Sequence, residues 1–258
     1  MKQTPYTGSE YHTASIVPPL FSRYFPSLGL YGRIVRIVLA ASRKAKRGAY
    51  GDEDWAKSSW DMLHAMERVG MRFEVSGLEN LRDLQQPAVI VGNHMSMLET
   101  LILPGIVRPF LPVTFVIKQE LLDYPFFKYV MRSRDPIAVG RANPREDLKA
   151  ILNGGLERLK NGISIIVFPQ TTRMQKFDAT QFNSIGVKLA QRAQVPVVPL
   201  ALKTDAWQNG RVIKDFGRID RTRTVHFAFG EPMLLEKRGN EGHEAVIQFV
   251  TDKLQEWQ

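Results

Sequence analysis

The chain has 258 residues, of which 44% are apolar and 24% are charged, values typical of a globular protein with a sizeable core. It contains no cysteine, which excludes disulfide bonds, cysteine-ligated zinc and a cysteine nucleophile. The formal net charge of +9 favours an anionic partner such as a nucleic acid, an anionic membrane surface or a phosphorylated substrate.

The N-terminal part of the chain, residues 1–50, differs in composition from the rest. The start has no basic stretch that leads into an apolar stretch, so we expect no secretory signal. No run of about 18 apolar residues follows, so we expect no conventional transmembrane helix. Projected as a helix, residues 29–47 carry basic side chains within roughly a 100° sector: Arg33, Arg36, Arg43, Lys44 and Arg47. Apolar side chains lie opposite them: Tyr31, Ile34, Val38, Ala41 and Ala45. We predict an amphipathic membrane-association segment over residues 1–50; the alternative is a surface helix that packs its apolar side on the main domain.

A second helix is predicted from Asp54 to Gly70, and residues 51–258 then read as one α/β domain. Seven short apolar runs resemble buried strands: FEVSG, AVIVGN, VTFVIK, PIAV, ISIIVF, VPVVPLAL and TVHFAFG. Helix-like segments alternate with several of them: MLETLILPGIV, QELLDYPFFKYVM, PREDLKAILNGGLERLKNG and SIGVKLAQRAQ. A closing helix, NEGHEAVIQFVTDKLQEW, follows. This alternation predicts a mixed, largely parallel central sheet flanked by helices.

The stretch VGNHMSMLET contains a histidine that directly follows a predicted strand. Ser96 and Glu99 form the spacing of a capping box, which alone would explain the glutamate. If His94 lies in the strand-to-helix turn, the same glutamate can instead accept a hydrogen bond from its imidazole and leave Nε2 as a general base. Asn93 and Ser96 would then support the turn. The spacing leaves both interpretations open.

Four blocks in this order resemble the glycerophospholipid acyltransferase family (PlsC-like, the lysophosphatidate acyltransferases and relatives). The first is NHMSMLE, where the family usually has N-H-x-S-x-x-D. The second runs from Lys118 to Arg141, the third is FPQTTR, and the fourth is VPVVPLAL. Together they cover roughly residues 73–202. The chain departs from the family's pattern at three positions, with Glu99 for aspartate, Gln170 for glutamate and Thr171 for glycine, and the last two put the usual acceptor in question.

The resemblance implies an O-acyltransferase domain over residues 51–258 that moves a fatty acyl group from an acyl thioester to a lysophospholipid hydroxyl, for example that of 1-acylglycerol-3-phosphate. His94 would be the general base and Glu99 its orienting carboxylate. The acceptor headgroup would be held by five residues: Arg141, Gln170, Thr171, Thr172 and Arg173. Lys118 would bind a phosphate of the donor or the acceptor.

The same resemblance implies acyl-CoA or acyl carrier protein as co-substrate, with no cofactor and no metal. We expect the chain at the cytoplasmic face of a membrane, as a peripheral or monotopic protein in contact with membrane lipids. Other interpretations are acylation of a lipid A-like or lyso-aminolipid acceptor, or a catalytically altered lipid-binding protein. We expect no nucleic-acid binding because no recognition motif accompanies the positive charge, and no hydrolase because the G-x-S-x-G elbow is missing.

Overall fold

A computed structural model describes residues 8–14, 17–125, 127–170, 172–210, 215–235 and 240–258. Within these residues an eight-stranded sheet has the order β1-β2-β8-β7-β3-β6-β4-β5. The strands are β1 (Tyr11–His12), β2 (Arg72–Ser76), β3 (Val89–Gly92), β4 (Val113–Lys118), β5 (Ile137–Val139), β6 (Ser164–Val167), β7 (Val197–Lys203) and β8 (Thr224–Phe229). The five strands β7, β3, β6, β4 and β5 run parallel, whereas β1 and β8 each have one antiparallel neighbour. The predicted mixed, largely parallel sheet is confirmed.

Helices cover both faces of this sheet. They are α1 (Leu20–Tyr24), α2 (Pro26–Lys46), α3 (Asp52–Glu67), α4 (Glu79–Arg82), α5 (Leu98–Val107), α6 (Lys128–Arg132), α7 (Pro144–Lys160), α8 (Ile185–Ala193) and α9 (Glu241–Glu256). Side chains of β3 alternate between the two layers: Ile90 packs in the core with α3 and α5, whereas Val89 and Val91 pack with α7 and α8. All four residues of β3 are buried, as expected for a central parallel strand covered on both faces.

Helix α2 shows how the N-terminal segment meets the rest of the chain. Its residues Ile34, Val38 and Ala41, which the amphipathic pattern placed on a lipid-facing side, are buried in the same core as α3 and α5. The packing alternative is therefore correct for this face, and the lipid-facing interpretation of these three residues was wrong. These three residues join residues 29–47 to the main core. The predicted boundary at residue 50 between an N-terminal segment and the main domain stays a prediction.

The exposed apolar surface lies earlier in the chain, on the segment before α1, on α1 and on the start of α2. Here six apolar side chains are 56–87% exposed and form what we call the N-terminal apolar cluster: Val17, Leu20, Phe21, Tyr24, Phe25 and Leu28. In the part of the chain that the structure describes, no helix combines the length and the apolar character needed to cross a membrane.

Two further elements differ from the sequence-based expectation. The segment QELLDYPFFKYVM does not form one helix but a 3₁₀ turn (Gln119–Leu122) followed by α6. Pro125 lies between them, and proline disfavours a helical residue before it. Strand β1 was not predicted, because its two residues are too few to produce an alternating pattern.

Candidate active site

The candidate site lies at the carboxyl-terminal edge of the parallel strands. His94 follows the end of β3, Gln170 follows the end of β6, and Thr204 follows the end of β7. Since β6 and β7 are the two neighbours of β3, the three residues lie side by side at that edge. This is where α/β sheets place their binding sites.

The turn after β3 is fixed to β7 by a side chain that continues the sheet's hydrogen bonding. Asn93 donates from Nδ2 to the carbonyl of Leu202 at 2.9 Å and accepts the Leu202 N–H at 2.8 Å. Gly92 permits this close approach, since a Cβ there would lie 2.8 Å from the Leu200 carbonyl oxygen. The Asn93 side chain thus holds the backbone that presents the next residue, His94, against β7.

His94 and Glu99 form a direct hydrogen bond. Nδ1 of His94 lies 2.9 Å from Oε1 of Glu99, and the carboxylate is fully buried whereas the imidazole is 16% exposed. A charged partner on Nδ1 selects the tautomer and stabilises the imidazolium form. Because Nδ1 is engaged, proton transfer to or from a substrate has to use Nε2.

The Glu99 carboxylate accepts four more hydrogen bonds. Oε1 accepts the backbone N–H groups of Met95 at 2.7 Å and Ser96 at 2.8 Å. Oε2 lies 2.8 Å from the hydroxyls of both Ser96 and Thr204. The bond from the Ser96 N–H is the half of the predicted capping box that involves the carboxylate, and it coexists with the histidine pair on Glu99. Helix α5 begins at Leu98 with Met97 as its N-cap, so the prediction of Ser96 as N-cap was wrong by one residue; the Ser96 hydroxyl instead accepts the Leu98 N–H at 3.1 Å.

These contacts determine the charge state of Glu99. Burial alone would raise the pKa of the carboxyl, but the hydrogen bond and charge interaction with His94, together with the bonds from the Ser96 N–H and the Thr204 hydroxyl, outweigh that effect. The pKa of Glu99 therefore lies below its ordinary value of 4.5. A lowered pKa means that Glu99 is ionised at neutral pH, as the orienting role requires.

The third sequence block, which follows β6, holds His94 from the other side. The imidazole stacks on the Phe168 ring with centroids 4.5 Å apart and planes inclined by 7°. Oε1 of Gln170 accepts the His94 N–H at 2.6 Å, and the His94 carbonyl accepts the Met174 N–H at 2.9 Å. Gln170 is only 2% exposed. Its observed contact is with the dyad turn, so in this state it supports the histidine rather than facing a headgroup in solvent.

The other predicted acceptor residues have different surroundings. Thr171 lies outside the described residues, and Thr172 is exposed. Arg173 precedes Met174 and so lies beside the dyad, where its Nη2 forms an ion pair of 2.5 Å with Oδ1 of Asp215. Among the predicted headgroup residues, Arg173 thus combines a position next to His94 with a guanidinium group.

Lys118 and Arg141 lie farther along the sheet edge. Lys118 ends β4, two strands from β3, and Arg141 follows β5, three strands from β3. With strands about 4.8 Å apart, their backbones lie about 10 and 14 Å from the dyad strand. Arg141 has a left-handed φ of 60°, and its backbone N–H donates to Asp147 at 3.2 Å. Burial lowers the pKa of the Arg141 guanidinium, while Asp147 and Glu120 oppose that shift. The two cations therefore suit a larger ligand that extends away from His94.

Three residues of the site escaped the sequence analysis. Thr204 lies two residues after the end of the fourth block, so extending that block by two residues would have found it. Phe168 was part of the third block but had no assigned contact. Asp215 is 42 residues from its partner Arg173, and no spacing rule links two such positions.

Comparisons with known proteins follow the same part of the chain. A family model described as Acyltransferase matches residues 72–203. A 1-acyl-sn-glycerol-3-phosphate acyltransferase of Pseudomonas aeruginosa is 39% identical over 133 residues, which are 52% of this chain and 50% of that protein. The enzyme of the same name from Saccharomyces cerevisiae is 32% identical over 143 residues, 54% of this chain and 46% of that protein. The chain thus spans about half the length of these curated relatives.

Among solved structures, the fold is similar to the crystal structure of a 1-acyl-sn-glycerophosphate acyltransferase from Thermotoga maritima. The TM-score is 0.69, and the similarity covers 91% of this chain and 95% of that one. At 20% identity, this likeness establishes the architecture.

Proposed function

This chain belongs to the acyltransferase family, and on that premise we propose that it is an O-acyltransferase acting on lysophospholipids. The fatty acyl group comes from an acyl thioester, carried by coenzyme A or acyl carrier protein, and goes to the hydroxyl of an acceptor such as 1-acylglycerol-3-phosphate. The observation that carries the proposal is the 2.9 Å bond between His94 and the buried, ionised Glu99. It supplies a base at the sheet edge where substrates bind.

The reaction is a single acyl transfer with general-base assistance. Nε2 of His94 takes the proton of the acceptor hydroxyl while that oxygen attacks the thioester carbonyl carbon. The carbonyl electron pair moves onto its oxygen and then returns as the carbon–sulfur bond breaks. The leaving thiolate takes the proton from the imidazolium, which restores neutral His94. Glu99 stays ionised throughout and stabilises the transient imidazolium.

The acceptor's phosphate is proposed to bind at Arg173, since a guanidinium fork matches phosphate oxygens. In a glycerol phosphate the reacting hydroxyl and the phosphorus are only a few bonds apart, so the anchor has to lie close to His94. Arg173 meets this condition through the Met174–His94 backbone bond. Lys118 is the next cation along the edge and would bind an outer phosphate of the acceptor or the donor.

The protein is proposed to act at the cytoplasmic face of a membrane as a peripheral or monotopic protein. The N-terminal apolar cluster presents aromatic and aliphatic side chains that are more than half exposed, and such patches mark interaction surfaces. The net charge of +9 adds attraction to anionic headgroups. Since α2 also completes the core, point variants test this surface better than removal of residues 1–50. Phe21→Ser with Leu28→Ser should lower co-sedimentation with anionic vesicles, whereas Leu234→Ser, at a residue 68% exposed outside the N-terminal segment, should not.

The activity is tested with the full chain, a labelled acyl thioester and a panel of lysolipids, with products identified by mass. We expect acyl transfer to a glycerophosphate acceptor, abolished by His94→Ala and retained by His12→Ala, a histidine that is 60% exposed. Vesicle binding should survive both substitutions. Release of fatty acid to water with every acceptor would indicate a hydrolase instead. Lipid binding without any product would indicate a binding protein that has lost catalysis.

A further inference from the structure

The guanidinium that best suits the acceptor's phosphate already has an anionic partner. Arg173 Nη2 and Asp215 Oδ1 are 2.5 Å apart, and the two side chains are 16% and 26% exposed. Partial burial makes such a pair stronger than one on an open surface. A phosphate that binds Arg173 therefore has to compete with a carboxylate of the protein itself.

The position of Asp215 is set by contacts other than Arg173. Its carbonyl accepts the Trp207 Nε1–H at 3.2 Å, and the next residues are tied to α2 through Tyr31 OH to the Gly217 carbonyl at 2.5 Å and Ile219 N–H to Ser27 Oγ at 3.2 Å. The Tyr31 ring packs edge-on against Trp207, with centroids 5.6 Å apart. Because the backbone is anchored in this way, the carboxylate stays near the site even after a ligand has displaced it from Arg173.

The charge of Asp215 also affects Tyr31, the residue that ties this segment to α2. Burial, followed by the charge of Asp215, raises the pKa of Tyr31 to about 12. The phenol thus stays neutral at physiological pH, and Arg173 remains the cation that offsets the carboxylate. Removing the carboxylate would take away the ion-pair partner of Arg173, so that a ligand phosphate no longer has to displace it.

We propose that Asp215 is a specificity-determining residue that competes with the acceptor's headgroup for Arg173. This inference rests on the proposed function and deepens it. The displaced carboxylate repels the bound headgroup, and this repulsion grows with the negative charge of the headgroup. Asp215 therefore disfavours a phosphate monoester, with up to two negative charges, more than a singly charged diester, and a zwitterionic headgroup least.

The test compares Asp215→Asn with the unsubstituted chain on three lysolipids of equal acyl chain: the glycerol 3-phosphate monoester, the phosphoglycerol diester and the phosphocholine zwitterion. We expect kcat/KM to rise about tenfold for the monoester, equal to about 1.4 kcal/mol, about threefold for the diester, and least, by less than about twofold, for the zwitterion, whose phosphate also competes with the carboxylate but is offset by the choline cation. KM for the acyl thioester should stay unchanged. A uniform change across the three acceptors would overturn the proposal, as would a change confined to the thioester, which would assign Arg173 to the donor.

Two controls separate this inference from a structural role and from the proposed function. Asp220 lies between β7 and β8, as Asp215 does, and its side chain is also 26% exposed, but it pairs with Arg223. The acceptor profile of Asp220→Asn should therefore match that of the unsubstituted chain. Asp215→Ser replaces Asp215→Asn if the latter fails to fold. If no lysolipid is acylated, the proposed function fails. The inference is then tested by comparing the binding of sn-glycerol 3-phosphate to Asp215→Asn and to the unsubstituted chain. Tighter binding by about tenfold in the variant supports the inference, and equal binding rejects it.

Discussion

Replacing Glu99 by glutamine separates the two roles that this carboxylate combines. The amide oxygen of glutamine can still accept the N–H groups of Met95 and Ser96. Its amide nitrogen can donate to the hydroxyls of Ser96 and Thr204, which can rotate to accept. Shape and helix start are thus retained, and only the negative charge next to His94 is lost.

The size of the effect follows from the geometry of the pair. Oε1 lies 2.9 Å from Nδ1 in a fully buried position. With charge centres about 4 Å apart and an effective dielectric constant of about 20, the carboxylate and the imidazolium attract each other by about 4 kcal/mol. The imidazolium forms only as the reaction proceeds, so most of this energy acts on the transition state. At about 1.4 kcal/mol for each factor of ten, kcat should fall by about 10² to 10³.

The assay benefits from the composition of the chain. Since the chain has no cysteine, the thiol released from an acyl thioester can be followed with a thiol reagent without a signal from the protein. Circular dichroism and thermal unfolding should show that Glu99→Gln folds. Glu157→Gln, at a side chain 72% exposed on α7, controls for the loss of one negative charge. A kcat for Glu99→Gln within about threefold of the unsubstituted chain would mean that the glutamate only caps its helix.

Three further outcomes are expected. Thr204→Val removes one hydrogen-bond donor to Glu99 and should lower kcat by about tenfold, in line with about 1.5 kcal/mol for a bond to a charged group. Thr204→Ser keeps the hydroxyl and should have the kcat of the unsubstituted chain. Equal rates for the valine and serine variants would show that the hydroxyl does not orient the carboxylate. Gln170→Leu leaves the part-buried His94 N–H unpaired and should lower the free energy of unfolding by about 1–3 kcal/mol. Gln170→Glu keeps an acceptor for this N–H and should retain more turnover. If denaturant and rate measurements instead found the leucine variant more stable and more active than the glutamate variant, the observed contact would be contradicted. Because the pKa of Glu99 is lower in the folded state than its ordinary 4.5, its ionised form stabilises the fold above that pH, and this contribution is lost as the pH falls through the folded pKa. Denaturant midpoints from pH 6 to 3 should therefore fall less steeply for Glu99→Gln than for the unsubstituted chain, and parallel curves would argue against the shift.

Sequence patterns predicted the elements whose signal is local. The seven apolar runs became β2 to β8, since a buried parallel strand needs nothing more than a short continuous apolar stretch. The His94–Glu99 contact also followed from local geometry, because a strand-to-helix turn brings positions five apart together. Pro125 is the local signal that disfavours one helix over residues 119–131, and it outweighs the helix-like pattern of the flanking residues.

What the sequence left open depends on residues far apart in the chain. The face of α2 that carries Ile34 and Val38 looks the same whether lipid or protein covers it, and only the presence of α3 decides. Gln170 and Arg173 lie in the third family block, but their contacts with the His94 backbone and with Asp215 arise from the arrangement of neighbouring strands. Spacing along one segment contains no information about such contacts.

The hydrogen bonds that tie the dyad turn to β7 have a practical consequence for protein engineering. Asn93 reaches Leu202 across 109 positions, and Thr204 reaches Glu99 across 105. A designed scaffold that borrows only the heptapeptide NHMSMLE would inherit a histidine without its support. A successful transplant has to carry β3 together with both of its neighbours, β6 and β7, in register and with their exit turns, since Phe168 and Gln170 after β6 also hold His94.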